Sequence, residues 1–167
     1  MSPSQSPSMR ADAAARFVAC AEAQVGKPYR WASAGPDAFD CSGLVAFCYQ
    51  QATGQAISRD SHAQFTLGES IGGPSVPGDL LFFDTGFSRR LGNRASHVGI
   101  VVGDGAMIHA FNDDAGVVRS DITAQYWRLR QLGVRRFFSR GQRPAAQPSV
   151  TPDPPHRPRR GRQLRRP

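Results

Sequence analysis

A cysteine at the mouth of a helix is the feature that most limits how this chain can be built. Phe39-Asp40-Cys41-Ser42-Gly43 leads into Leu44-Val45-Ala46-Phe47-Cys48-Tyr49-Gln50-Gln51, a run that reads as a helix. In the first turn of a helix the backbone N–H groups lack partners and the positive end of the macrodipole is exposed. Both favour the thiolate, the nucleophilic form of cysteine. The same N–H groups suit the oxyanion that forms when sulfur attacks an acyl carbon. Such a cysteine needs a base. His97 and His109 each stand in an apolar run that reads as a strand, so Cys41 and His97 are expected to pair as nucleophile and base, with His109 orienting the base.

The elements around this point follow from periodicity. Residues 1–10 read as a disordered Ser/Pro-rich leader. Residues 11–25 read as a helix, because Ala14, Phe17, Val18, Ala21 and Val25 recur every three or four positions. Gly26 and Pro28 end it. A loop through Gly35, Pro36 and Asp37 delivers Cys41, whose helix runs to about Ala52 before Gly54 stops it. Residues 57–65 read as the opening of a short helix capped by Ser58 or Asp60, with His62 an exposed polar residue.

From Val76 the period changes. Leu80–Phe83, His97–Val102, Ala106–Ala110, Val117–Arg119 and Gly133–Phe138 read as strands, and Tyr126-Trp127 as a turn or short helix. Helices followed by consecutive antiparallel strands predict an α+β fold, with the helices packed on one face of the sheet. A turn centred on Gly103-Asp104-Gly105 sets His97 opposite position 111. His109 is then two positions away, roughly 7 Å along the diagonal and on the same face. A second imidazole at that distance can hold the tautomer of the first, as Asp does in a serine triad.

Charge separates the body from its end. The net charge is +8, but residues 140–167 hold eight arginines and one aspartate, whereas residues 1–139 hold thirteen basic and twelve acidic residues. The domain is therefore read as 11–139, and 140–167 as a disordered Arg/Pro-rich tail suited to weak contact with anionic polymers. The loop Asp84–Ser96, with Arg89, Arg90 and Arg94, is long enough to suggest a functional role. Three cysteines do not make a disulfide framework, so Cys20 and Cys48 are read as small buried core residues. No Cys/His cluster has zinc spacing, and no metal site is expected. No apolar run approaches the ~20 residues of a membrane span. The first eight residues lack the basic start and apolar centre of a secretory signal. Non-classical export, phage release and cytoplasmic recycling stay open as settings.

Five collinear segments carry a resemblance. They are Gly26-Lys27-Pro28-Tyr29-Arg30-Trp31, Phe39-Asp40-Cys41-Ser42-Gly43-Leu44-Val45, Pro77-Gly78-Asp79-Leu80-Leu81-Phe82-Phe83, Ser96-His97-Val98-Gly99-Ile100-Val101 and Met107-Ile108-His109-Ala110. In order and spacing the chain resembles the NlpC-type family of bacterial cell-wall cysteine peptidases, over roughly residues 11–138. The resemblance implies a papain-like fold and hydrolysis of peptide bonds in peptidoglycan stem peptides, commonly between D-glutamate and a diamino acid. It implies no metal or organic cofactor. Cys41 matches the nucleophile, His97 the base and His109 the third, orienting residue. Tyr29 matches a tyrosine lining the site, and Asp40 and Ser42 match positions bordering the substrate cleft, though capping of the helix accounts for both equally well. One departure stands out: Ala32-Ser33 occupies the place of a glycine pair common in that family. The protein is expected to act as a monomer. An amidase or acyltransferase on the same fold, and a non-catalytic binding or toxin-associated module, are the rival readings.

Overall fold

The computed structural model describes residues 7–86 and 95–138. Along the chain lie α1 (Pro7–Ala23), α2 (Cys41–Thr53), α3 (Ser61–Thr66), β1 (Glu69–Ile71), β2 (Leu80–Phe83), β3 (His97–Gly103), β4 (Ala106–Ala110), β5 (Val117–Asp121), α4 (Gln125–Arg128) and β6 (Gln131–Arg136). The strands form one sheet in the order β1-β6-β2-β3-β4-β5, with every adjacent pair antiparallel. This is the α+β fold expected from the sequence, with α1 and α2 laid against the sheet.

The elements start and stop for local reasons. Asp40 caps α2, its carboxylate accepting from Gly43 N at 2.6 Å, and Gly54 closes the helix in the left-handed region with its N–H on Gln50 O. Asp60 caps α3 in the same way through Ala63 N. α1 begins at Pro7, inside the segment read as leader, since proline suits a first helical position. It ends at Ala23, and its buried stripe is Ala13, Phe17 and Ala21, while Val25 lies beyond the helix and is exposed.

The sheet is buried on both faces. Val98, Ile100, Ile108, Ala110 and Val117 pack with Phe17, Leu44 and Val45 of the helices. The alternate positions, Leu81, Phe83, Val101 and Met107, pack with Trp127 of α4 and Val134 on the other side. Asp79, buried just before β2, forms a two-pronged ion pair with Arg136 of β6, both contacts at 2.8 Å. This pair ties the start of β2 to the neighbouring strand β6.

One reading is corrected. Cys20 and Cys48 are not separate core residues but a disulfide, with Cα atoms 5.4 Å apart, that joins α1 to α2. Partners on two helices 28 residues apart are brought together only by helix packing. Cys41 is left as the free thiol. The arginines of the loop after β2 (Arg89, Arg90, Arg94) and the basic tail lie outside the described residues.

Candidate active site

Cys41 is the first residue of α2 and is half-buried. The backbone N–H groups of Val98, Ser42 and Cys41 itself lie toward its sulfur and act to lower the thiol pKa. The Val98 contact sets the thiol beside the start of β3, where His97 stands. The three N–H groups favour the thiolate, as helix-terminus reasoning anticipates. Desolvation and then the Asp40 carboxylate outweigh them, and the thiol is pushed up to about 11. Cys41 therefore rests as a neutral thiol.

The hairpin brings the two histidines into direct contact. Ile100 pairs with Ile108 and Val101 with Met107, the register expected from the turn at 103–105. His97 Nε2 lies 2.8 Å from His109 Nδ1, and His109 Nε2 lies 2.9 Å from Ser120 Oγ on β5. Both rings are buried on the face away from α1 and α2. Trp127 stacks on His97 (5.6 Å between centroids, 19° between planes) and meets His109 edge-on (4.9 Å, 84°). Phe83 and Phe111 complete the apolar wall. Burial drives both imidazoles toward the neutral form: His97 falls to about 3, helped by the nearby His109, and His109 to about 4. Gly99 faces this pair across the strand, where a Cβ would press on Met107 Sδ.

The loop before α2 forms the other wall. Tyr29 bridges to Phe39, and Arg30 N and Asp40 N bond to Phe39 O and Ser33 O. Burial raises the Tyr29 pKa first, followed by the charges of Cys41, Asp40 and Asp113, so its hydroxyl stays protonated next to the cysteine. Ala32, at the place of the usual glycine, keeps a left-handed backbone with φ +59°. The Ser33 hydroxyl donates to Ala38 O at 2.9 Å across this loop.

Asp40 and Ser42 flank the thiol but are both buried. Asp40 caps α2 and pairs with Arg59 at 3.4 Å, and the Ser42 hydroxyl donates to Arg59 O at 2.6 Å. Gln64, wholly buried, donates to Ser42 O and Ser58 O and ties α3 to the first turn of α2. A Cβ on Gly43 would run into Ser33 O, Arg59 Nη1 and the Asp40 carboxylate, so this turn requires glycine. His62 is half-buried on α3, not exposed as expected, with Nδ1 lacking a hydrogen-bond partner.

Sequence reasoning missed Ser120, Trp127, Arg59 and Gln64 around this site. Trp127 was visible only as part of a turn or short helix. The strand alternation that puts Ser120 on the His109 face follows once His109 is paired with Val118 and Met107 with Ser120.

The family model for NlpC/P60 proteins matches residues 26–136, which contain every residue of this constellation. The chain is 38% identical over 123 residues to the probable peptidoglycan endopeptidase LytE of Bacillus subtilis, a match covering 73% of this chain and 34% of that protein. It is 34% identical over 119 residues to the γ-DL-glutamyl hydrolase of the same organism, covering 70% and 28%. Its fold superposes on the peptidoglycan hydrolase RipB of Mycobacterium tuberculosis with a TM-score of 0.64 at 26% identity, covering 79% of this chain and 68% of that one. The chain thus spans about a third of the length of those curated relatives.

Proposed function

From the premise that the chain belongs to the NlpC/P60 family, we propose that it is a cysteine peptidase cutting peptidoglycan stem peptides at the amide between the γ-carboxyl of D-glutamate and a diamino acid. The observation that carries this reading is the 2.8 Å bond between His97 Nε2 and His109 Nδ1, which leaves His97 Nδ1 as the ring nitrogen for the thiol. The γ-glutamyl bond is supported by the relative named for that hydrolysis, and the wall substrate by the two named for peptidoglycan.

Cys41 and His97 start neutral. As the sulfur attacks the acyl carbon, His97 Nδ1 takes the thiol proton, and its Nε2–H stays on His109 Nδ1. The oxyanion forms near the first N–H groups of α2 and the Tyr29 hydroxyl. Collapse expels the diamino acid's nitrogen, which takes the proton from His97 and leaves as an amine. The γ-glutamyl thioester remains. Water then adds to it, giving a proton to His97; the thioester opens, the thiol regains its proton and the free γ-carboxyl departs. Asp40 and Ser42 shape this cleft from below by fixing the α2 turn.

The test is mass spectrometry of defined stem peptides after incubation with the protein and with Cys41→Ala. We expect a cut at the γ-glutamyl bond with the native chain alone. A folded, reduced native protein that leaves these peptides intact rejects the reading. Repeating the incubation on intact walls without residues 140–167 tests the tail, whose charge supports weak contact with anionic wall polymers. Loss of wall cleavage with soluble-peptide cleavage retained is expected, and equal wall cleavage rejects that contact.

A further inference from the structure

The histidine pair does not end at His109. Its outer nitrogen, Nε2, is 2.9 Å from Ser120 Oγ on β5, so three polar side chains from three neighbouring strands form one chain. We propose that Ser120 is a positioning residue for the reaction, holding His109 in the tautomer that leaves His97 able to accept the thiol proton. This rests on the reading of Cys41 and His97 as nucleophile and base.

Two protonation patterns fit the two distances. In one, His97 Nε2–H donates to His109 Nδ1 and His109 Nε2–H donates to Ser120 Oγ. His97 Nδ1 is then bare, a base. In the other, every proton is shifted: Ser120 donates to His109 Nε2, His109 Nδ1–H donates to His97 Nε2, and His97 carries its proton on Nδ1. That form has no base for the thiol. The chain of bonds makes the tautomer of His97 depend on that of His109, and the tautomer of His109 depend on its outer partner.

The surroundings of Ser120 select the first pattern. His109 is wholly buried among Phe111, Trp127 and His97, so its Nε2–H has to find an acceptor within the fold. Ser120 is half-buried and forms part of the wall of an open polar cleft of about 520 Å³, with Asp104, Arg119, Asp121 and Thr123. The hydroxyl turns about its Cβ–Oγ bond, and the open side of the cleft lets its hydrogen go to solvent. The lone pairs of Oγ are thereby left for His109. Removing the hydroxyl strands a buried N–H, and His109 avoids this by moving its proton to Nδ1. His97 must then protonate at Nδ1.

The experiment reads tautomers and turnover separately. Long-range ¹H–¹⁵N correlation on the full chain with labelled histidine reports which nitrogen of His97 and His109 is bare, with no substrate required. Thr and Val have nearly the same shape and both suit a strand, so Ser120→Thr and Ser120→Val differ at this position by the hydroxyl alone. We expect the native chain and S120T to show bare Nδ1 on both rings, and S120V to show protonated Nδ1 on both. With a γ-glutamyl stem peptide, S120V should lose roughly a hundredfold in kcat with KM within about twofold, and S120T should recover kcat. Identical tautomers in S120T and S120V overturn the proposal, as does a kcat equal in the two. A native protein with the expected tautomers that cleaves no stem peptide instead rejects the proposed substrate and leaves the Ser120 assignment standing.

Discussion

Cys41 is held between opposing influences, and their balance decides how it reacts. Three backbone N–H groups stabilise a thiolate, yet burial and the neighbouring Asp40 carboxylate push the thiol up to about 11. Under the proposed mechanism a thiol that rests protonated is activated when His97 takes its proton during attack. The expected signature is in alkylation. The rate of Cys41 modification by iodoacetamide should climb about tenfold per pH unit from pH 7 and keep climbing past pH 9. A plateau below pH 8 would instead mean a standing thiolate–imidazolium pair.

At the scale of elements, α2 is the part on which most of the site depends. Its N-terminus carries the thiol, Asp40 and Gly43 shape its first turn, and Gln64 of α3 braces that turn from below. Its middle is tied to α1 by the Cys20–Cys48 disulfide. A crosslink spanning 28 residues restrains the unfolded chain by about 3.6 kcal/mol in the loop-entropy picture. The paired change Cys20→Ala with Cys48→Ala should lower the unfolding free energy in urea by about that amount, and leave the reaction of Cys41 intact. An unchanged midpoint would show that helix packing alone secures α1 to α2.

The whole molecule places the His97–His109 pair inside an apolar layer, with a consequence for acid stability. His97 and His109 lie under Trp127 and have folded pKa values near 3 and 4, below the ordinary 6.5. The unfolded chain thus binds protons that the folded chain does not. The stabilising effect is fully present above pH 6.5 and is lost as pH falls toward 4 and then 3, at up to ~1.4 kcal/mol per pH unit for each histidine. Urea midpoints should drop steeply from pH 6.5 to 4.5 in the native protein and less steeply in His109→Phe. Parallel pH dependences in the two proteins would reject this account.

Much of this arrangement can be read directly from the residues, because local chemistry writes it there. Helical spacing before residue 54, strand runs after residue 76, the cap at Asp40 and the glycines of the 103–105 turn give the α+β class and the hairpin register. That register, with its period of two, already places His97 and His109 on one face. The first strand, Glu69–Ile71, is too short and polar to carry a pattern; pairing with β6 makes it a strand. The disulfide, the Asp40–Arg59 contact, the seat of Trp127 over the histidines and the Ser120 end of the relay join residues far apart in the chain. So does the raised pKa of Cys41: a helix terminus predicts a low value, and only the burial created by tertiary packing reverses it. Periodicity and capping act within a few residues and belong to the sequence. Desolvation and long-range contacts exist only once the sheet has formed, and they belong to the fold.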